Sequence, residues 1–174
     1  LRGPAGWAEF SPFPEYGPHE CAAWLAAAIE AGWQGWPAPV RQAVPVNATV
    51  PAVDAADVEA VLARYGDGIT AVKVKVAERG QSLAQDIARV DRVRDLRPGA
   101  SIRVDANRGW SVEEAVAAER ALTQTGELEY IEQPCRTVEE LAEVRSRVRT
   151  PIAADESIRR AADPLRVVEA GAAD

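Results

Sequence analysis

The sequence predicts an α/β protein in which five strand–helix units follow an N-terminal segment of different composition. Three observations support this prediction. Short apolar runs alternate with helical patterns from residue 44 onward, polar residues end four consecutive runs, and residues 1–43 hold four of the five tryptophans. Such strict alternation of strands and helices favours a parallel sheet with right-handed crossovers.

The N-terminal segment, residues 1–43, is predicted to be part of a small α+β domain. It contains one helical pattern over residues 20–31. Pro37 and Pro39 then mark a connector, because proline ends helices and restricts the residue before it. We therefore expect a domain boundary between residues 43 and 44.

The strands of the second domain, residues 44–174, are predicted from short apolar runs. Each run has the length of a strand, and a helical pattern follows it. The five runs are VPVNATV, ITAVKVKV, SIRVDAN, ELEYIEQP and PIAADES, which span residues 44–50, 69–76, 101–107, 127–134 and 151–157.

The helices that follow these strands are predicted from apolar periodicity and from capping signals. The first two begin near residues 54 and 82. Capping boxes led by Ser111 and Thr137 open the next two helices. Asp163 is expected to be the N-cap of the last helix.

Two architectures fit consecutive strand–helix units, an open doubly wound sheet and a barrel. The open sheet would carry a glycine-rich phosphate-binding turn after a strand, and this sequence has none. In a parallel barrel, function sits at the carboxyl ends of many strands, where this sequence places its polar residues. We therefore predict part of a TIM-like (β/α) barrel, of which five units are present.

Charge and composition argue against two classes of partner. The net charge is −7 and no basic cluster stands out, so we expect no nucleic-acid partner. No apolar run approaches the roughly 20 residues that cross a bilayer, so we expect no membrane partner. Cys21 and Cys135 match no metal or redox spacing, which indicates a reducing, cytoplasmic location.

The candidate chemistry lies in two lysines on one predicted strand and in three carboxylates at the ends of later strands. Lys73 and Lys75 are two residues apart, so both side chains face one way. Asp105, Glu132 and Asp155 follow three successive runs, and parallel strands bring such ends to one edge of the sheet. Together the five side chains describe a metal site with a base beside it.

The three carboxylates predict a magnesium site, since Mg²⁺ prefers hard oxygen ligands. No histidine or cysteine lies close to them in the sequence, which argues against zinc or copper. Lys75 is the better candidate for the base because it lies nearer the carboxyl end of its strand. Taken singly, each acid fits a helix cap or a surface ion pair better than a metal site. The lysine pair could also protect an edge strand, although the helices on both sides of ITAVKVKV favour a central strand.

The motifs K-x-K, D-A-N, I-E-Q-P and A-D-E-S, in this order and at this spacing, resemble the enolase superfamily. They are most similar to its muconate-lactonizing-enzyme subgroup and, within that subgroup, to o-succinylbenzoate synthases of the actinobacterial type. The opening GWAEFSPFPEYGP resembles the capping-domain loop of that family, and VPVNATVPA resembles its first barrel strand. The resemblance covers nearly the whole chain.

This resemblance implies Mg²⁺-dependent dehydration of a small-molecule substrate, a succinyl-hydroxycyclohexadiene carboxylate, to o-succinylbenzoate in menaquinone biosynthesis. Lys75 would remove the proton next to the carboxylate and later protonate the departing hydroxyl, while Lys73 would assist it. Asp105, Glu132 and Asp155 would bind Mg²⁺, which would stabilise an enediolate intermediate.

Four further residues are candidates for substrate or supporting contacts. Asn107 is expected near the metal or the substrate, and Glu156 is expected to pair with Lys73. Ser11 and Tyr16 lie in the N-terminal loop that resembles the family's lid over the substrate.

Two departures from the family pattern matter. The family usually has I-E-E-P where this chain has Gln133, and it carries a further lysine on a sixth barrel strand that would begin near Asp174. We therefore expect the chain to be a fragment that ends before this strand and is inactive alone. N-acylamino acid racemisation, dipeptide epimerisation and cycloisomerisation stay open as alternatives, as does an inactive remnant or a binding module.

Overall fold

The chain divides into two compact units, Leu1–Val44 and Pro45–Asp174. The computed structural model describes residues 1–160 and 162–174. Within these ranges, no helix is both long enough and apolar enough to cross a membrane.

The N-terminal unit combines a short hairpin with one long helix. Strands β1 (Arg2–Gly3) and β2 (Gly6–Trp7) pair antiparallel, and helix α1 spans Pro18–Trp33. The helix is longer than the predicted 20–31, since Pro18 suits a first helical turn in which its missing N–H costs nothing. The hairpin packs closely on the helix end, because a Cβ on Gly3 would lie 2.1 Å from the carbonyl oxygen of Gly32.

The second unit is built on one parallel sheet of five strands, which confirms the predicted α/β class. The strands lie in the order β3-β4-β5-β6-β7. They are shorter than the predicted runs, because each run pairs with its neighbouring strand over only part of its length. Their bounds are β3 (Ala48–Val50), β4 (Ala71–Lys75), β5 (Ser101–Asp105), β6 (Tyr130–Glu132) and β7 (Ile152–Ala153).

Five helices follow these strands in turn, as the alternating pattern predicted. A 3₁₀ turn at Ala55–Asp57 precedes the first of them. The helices are α2 (Val58–Leu62), α3 (Leu83–Leu96), α4 (Val112–Leu122), α5 (Val138–Arg147) and α6 (Asp163–Glu169).

The predicted capping boxes are present, but the predicted cap of the last helix is wrong. The hydroxyls of Ser111 and Thr137 accept hydrogen bonds from the third backbone N–H of α4 and α5. Asp163 is instead the first residue of α6, and its carboxylate accepts the backbone N–H groups of Arg159 and Arg160 at 3.0 and 2.8 Å. Its side chain therefore orders the turn before the helix.

The core lies between the sheet and the helices. Val72 and Val74 of β4 are fully buried and belong to the same apolar cluster as Val90 of α3 and Leu141 of α5. Because side chains alternate along a strand, the residues between these valines point to the opposite face of the sheet. That opposite face carries the polar side chains of the predicted site.

Candidate active site

The two lysines and two of the carboxylates come from neighbouring positions on three adjacent strands. In the parallel register Lys75 is paired with Asp105, and Asp105 is paired with Glu132. All three lie at the carboxyl ends of their strands, and Lys73 lies two residues earlier on the same face. The fold therefore brings these four predicted residues together.

Lys75 is held by two oxygen acceptors at the end of β5. Its ammonium donates to Asp105 Oδ2 at 2.5 Å and to Asn107 Oδ1 at 2.6 Å. The side chain of Asp105 is 1% exposed, whereas that of Lys75 is 31% exposed. The amine of Lys75 thus lies between a buried carboxylate and the open face of the sheet. A group that takes a proton from a bound molecule needs such a position.

Lys73 bridges the two carboxylates. Its ammonium lies 3.1 Å from both oxygens of Glu132 and 3.2 Å from Asp105 Oδ2. Burial lowers the pKa of Lys73, but its hydrogen bonds with Glu132 and Asp105 outweigh burial and leave the pKa above its ordinary value. Lys73 is therefore held as a fixed positive charge.

The two carboxylates differ in their electrostatic environment. Burial raises the pKa of Asp105, but hydrogen bonds from Lys75 and Lys73 outweigh burial, and the pKa falls below its ordinary value. The pKa of Glu132 is raised by burial and by the negative charges of Asp105 and Asp155, despite its bond with Lys73. Negative charge is thus in excess around Glu132.

Asp155, the third predicted metal ligand, lies in the turn after β7. Among residues 1–160 and 162–174, no three histidine, cysteine, aspartate or glutamate side chains are arranged closely enough to hold a metal ion. The donor set nevertheless fits a hard divalent cation, because all three candidates are carboxylates and the repulsion that Glu132 experiences comes from the other two. A cation placed among them would relieve that repulsion.

Asn107 links the base candidate to Glu156. Its side-chain amide accepts from Lys75 and donates to Glu156 Oε1 at 3.0 Å. The expected pairing of Glu156 with Lys73 is therefore wrong, since Lys73 is engaged by Glu132 and Asp105. Glu156 Oε2 is buried and has no hydrogen-bond partner within the described residues.

Gln133 was noted from the sequence only as a departure from the I-E-E-P motif of the family. Its role in holding the Asp155 turn was not predicted. Its fully buried amide oxygen accepts the backbone N–H groups of Asp155 and Ser157 at 2.9 and 3.1 Å. Its amide nitrogen donates to the carbonyl of Cys135 and to the hydroxyl of Ser157. The side chain therefore ties the end of β6, which carries Glu132, to the turn that carries Asp155.

Arg89 of α3 was also missed as a support for Lys75. It is 0% exposed and forms an ion pair with Asp86 at 2.9 Å. Its guanidinium donates to the backbone carbonyl of Lys75 at 2.8 Å and to that of Val53 at 2.6 Å, and it also contacts Gln81. Arg89 lies three residues after Asp86 and four before Val93, on the buried face of the helix, and this spacing is the signal that could have identified it.

The loops after the site strands contain strained backbone. Ala77, Asn107, Arg108 and Gln133 have φ values of 59°, 43°, 66° and 39°. This left-handed region is uncommon for residues other than glycine, and such residues cluster at functional sites. A Cβ on Gly109 would lie 2.6 Å from that of Ala77, so the loops after β4 and β5 touch.

The two lid candidates lie in the N-terminal unit. The Tyr16 ring makes edge contacts with Phe13 and Trp24 at centroid distances of 5.4 and 5.8 Å. Its hydroxyl is buried and has no hydrogen-bond partner in the described part of the chain. Ser11 lies before α1, and substrate contact by Ser11 and Tyr16 stays a prediction.

One property of the sequence adds weight to the lysine pair. Lys73 and Lys75 are the only lysines among the 174 residues, and every other basic side chain except His19 is an arginine. An arginine stays protonated at any ordinary pH, whereas a lysine can lose its proton when its surroundings favour the neutral amine. The chain thus places its two amines side by side at this site.

Comparison with known proteins identifies the family. The family model described as enolase C-terminal domain-like matches residues 54–174, and the model described as enolase N-terminal domain-like matches residues 1–32. The o-succinylbenzoate synthase of Mycolicibacterium smegmatis is 64% identical over 174 residues, which cover all of this chain and 53% of that protein. The chain thus spans about half the length of the curated relatives it matches.

Solved structures show the same fold. An enolase from Bradyrhizobium, complexed with magnesium and mandelic acid, is 29% identical with a TM-score of 0.68 over 75% of this chain and 37% of that chain. A dipeptide epimerase from Enterococcus faecalis is 32% identical with a TM-score of 0.66 over 75% of this chain and 38% of its own. The predicted family is confirmed: this chain belongs to the enolase superfamily.

Proposed function

We propose that the protein is an o-succinylbenzoate synthase, which removes water from a succinyl-hydroxycyclohexadiene carboxylate to form the aromatic ring of o-succinylbenzoate in menaquinone biosynthesis. The observation that carries this proposal is the position of Lys75, between a buried carboxylate and the open end of the sheet. The relative that is 64% identical over the whole chain carries this name and supports this choice of reaction.

Lys75 is the proposed base. The neutral amine would take the proton on the carbon next to the substrate carboxylate, and the ammonium so formed would return a proton to the hydroxyl that leaves as water. The proton is thus shuttled within the site and the lysine is regenerated. The bonds of Lys75 with Asp105 and Asn107 would hold its Nζ against the reacting carbon.

Lys73 is proposed as a positioning charge. Its contacts with Glu132 and Asp105 fix its ammonium beside the base. A positive charge at this place would attract the substrate carboxylate.

Asp105, Glu132 and Asp155 are the residues that would hold Mg²⁺. The bound ion would supply positive charge against the negative charge that develops on the carboxylate oxygens when the proton leaves. Gln133 would keep the Asp155 turn in place, and Asn107 would link Lys75 to Glu156.

We also propose that the reaction takes place in the cytoplasm, with a small-molecule carboxylate as the substrate. Cys21 and Cys135 are both free thiols, as expected in a reducing compartment. A lid formed by the loop that contains Ser11 and Tyr16 is part of the same proposal.

Epimerisation or racemisation is the second candidate, because the chain shares its fold with the dipeptide epimerase. The dipeptide epimerase is 32% identical over three-quarters of this chain, whereas the synthase of Mycolicibacterium smegmatis is 64% identical over all of it. The synthase reaction is therefore the better supported of the two. A remnant without activity has no physical reason to keep both lysines and all three acids in register.

The test uses the full-length protein with Mg²⁺, assayed for dehydration and for racemisation of N-acylamino acids. Lys75→Ala and Lys75→Arg should each lower dehydration by about 1,000-fold, since arginine keeps the charge but cannot release its proton. Arg149→Ala, which removes a charge at the opposite end of the sheet, is the matched control and should be fully active. An active Lys75→Arg enzyme would contradict the assignment of the base.

A further inference from the structure

A charged pair, Asp86 and Arg89, lies in the interior on the buried face of α3. The two residues are 2% and 0% exposed, and Arg89 Nη1 lies 2.9 Å from Asp86 Oδ1. Taking two charges out of water costs free energy, and an apolar pair of similar volume often gives equal or higher stability. Stability alone therefore does not explain a charged pair at this place.

The pair is bonded to the backbone at the carboxyl ends of β3 and β4. Arg89 donates through Nε to the carbonyl of Val53 at 2.6 Å and through Nη1 to the carbonyl of Lys75 at 2.8 Å. Asp86 Oδ2 accepts the backbone N–H of Ala77 at 3.0 Å. The pair thus fixes the backbone at the residue that carries the proposed base and again two residues later.

Gln81 extends these contacts to the loop after β3. Its amide oxygen accepts from Arg89 Nη2, and its amide nitrogen donates to the carbonyl of Ala52 at 2.8 Å. We call Gln81, Asp86 and Arg89 the loop clamp. Within the described residues, the side-chain hydrogen bonds of the loop clamp end either inside it or on the backbone of these two loops. The planar fork of a guanidinium suits this task, because its donors point to several acceptors at once.

The loop clamp also reaches the ammonium of Lys75, through the loop after β5. Ala77, whose N–H it binds, holds the left-handed conformation with a φ of 59°, which persists only where surrounding contacts enforce it. Gly109 packs so closely on Ala77 that a Cβ on Gly109 would lie 2.6 Å from the Cβ of Ala77. Asn107, two residues before Gly109, accepts from the Lys75 ammonium at 2.6 Å. The position of Ala77 therefore limits where Asn107 can lie.

We propose that the loop clamp is a positioning device for the proposed base, Lys75. It fixes the backbone of Lys75 directly, and it fixes an acceptor of the ammonium through the loop after β5. A shift of about 1 Å in a reacting group can lower a rate about 100-fold, so contacts remote from the chemistry can decide turnover. The proposal rests on the proposed function, because that function makes the position of Lys75 Nζ decisive.

The test replaces the charged pair by apolar side chains in the full-length protein with Mg²⁺. Asp86→Leu/Arg89→Met keeps the interior filled and removes the contacts of the pair with the loops. We expect kcat for dehydration to fall about 100-fold, with KM and the dissociation constant of o-succinylbenzoate within about threefold. The stoichiometry of o-succinylbenzoate binding, measured by calorimetry, should stay at that of the unmodified protein. A purely structural role would lower this stoichiometry together with kcat, and that result would overturn the proposal.

Gly109→Ala is a second variant, which leaves the charged pair intact and disturbs only the contact with Ala77. It should lower kcat about tenfold with unchanged stoichiometry, and it decides the question if the double variant does not fold. Arg103→Met, which breaks an arginine–glutamate pair away from the carboxyl end of β5, is the matched control and should keep kcat within about threefold. Full turnover by Gly109→Ala would show that the loop contact does not position the base.

A crystal structure of whichever variant folds separates this proposal from the proposed function. The loops after β4 and β5 should move apart, and the Lys75 ammonium should lie about 1 Å further from Asn107 Oδ1. An unchanged Lys75 in that structure would overturn the positioning role, whatever reaction the protein catalyses. Dehydration by the unmodified protein tests the proposed function separately, so the two proposals can fail independently.

Discussion

Two layers of charged side chains lie on the same face of the sheet. The lower layer is nearer the amino ends of the strands and the upper layer is at their carboxyl ends, and the two differ in how their charges are paired. The lower layer consists of Asn47, Arg103, Glu129 and Tyr130. Arg103 donates to both oxygens of Glu129 at 2.8 and 3.1 Å and to Asn47 Oδ1 at 3.0 Å, and its guanidinium lies 5.2 Å from the ring of Tyr130. The Arg103 hydrogen bond holds the pKa of Glu129 below its ordinary value.

The upper layer consists of Lys73, Lys75, Asp105 and Glu132. Both lysines are paired, and yet burial and the nearby acids raise the pKa of Glu132. The lower layer is balanced charge that fastens neighbouring strands. In the upper layer Asp155 adds a third carboxylate that acts on Glu132, so two lysines face three negative charges. The difference teaches that a site which must accept a cation or a substrate is left electrostatically incomplete, while a purely structural cluster is not.

The largest effect should come from breaking the upper layer. Asp105→Asn removes the carboxylate that both lysines contact, so we expect kcat/KM of the full-length protein to fall about 1,000-fold. The free energy of unfolding should also fall, by about 2–3 kcal/mol, because both ammonium groups lose their buried counter-charge. Steady-state kinetics and urea unfolding on one preparation check both. Activity above a tenth of the original would place Asp105 outside the chemistry.

The next largest effect should come from removing the support of the upper layer. Gln133→Leu keeps the size of the side chain but leaves two backbone N–H groups and one carbonyl without partners, which should cost about 3 kcal/mol of stability. Gln133→Glu is the matched control, since it keeps the acceptor and loses only the donors. Equal losses in the two variants would show that the acceptor contacts to the Asp155 turn do not matter.

A smaller effect is expected when the lower layer is broken. Arg103→Met should lower the free energy of unfolding by about 0.5–1 kcal/mol and leave turnover within about threefold. Because Glu129 has a lowered pKa, its contribution is present above its ordinary pKa of 4.5 and is lost as the pH falls through the lower, folded value. The stability difference between the two proteins should therefore shrink from pH 7 towards pH 3. A difference that grows in acid would contradict the ion pair.

The smallest effect concerns alkylation of Cys135, which we expect not to occur while the protein is folded. Cys135 lies beside Gln133, and burial raises the pKa of its thiol to about 12. If the upper layer is held as rigidly as its contacts indicate, alkylation of Cys135 at pH 8 should be no faster than global unfolding. Peptide mapping by mass spectrometry, with the half-exposed Cys21 as an internal control, measures the rate. Fast labelling of Cys135 in the folded protein would show that the contacts of Gln133 open locally.

Local patterns in the sequence were sufficient for much of the fold. Period-two and helical periodicity identified five strand–helix units, and Ser111 and Thr137 cap their helices as the spacing predicted. The convergence of Lys73, Lys75, Asp105 and Glu132 followed from parallel strands ending at one edge. These features depend on residues close in sequence or on one topological rule.

The features that escaped prediction depend on distant contacts. Arg89 reaches the carbonyl of Val53, 36 residues away, and no local pattern shows which partner a buried guanidinium will find. The strand predicted over 44–50 pairs only from Ala48, because its length is set by where β4 lies beside it. Glu156 accepts from Asn107 rather than from Lys73, since the position of two loops decides which donor is nearer.

Arg89 has a consequence for how the proposed activity would be lost on heating. The same guanidinium anchors the backbone of Lys75 and closes the interior of the second unit, so the anchor cannot be released without exposing the interior. We therefore expect loss of turnover on heating to follow the same curve as loss of the fold, with no inactive but folded stage. The half-life at a given temperature would then be set by the rate of global unfolding alone.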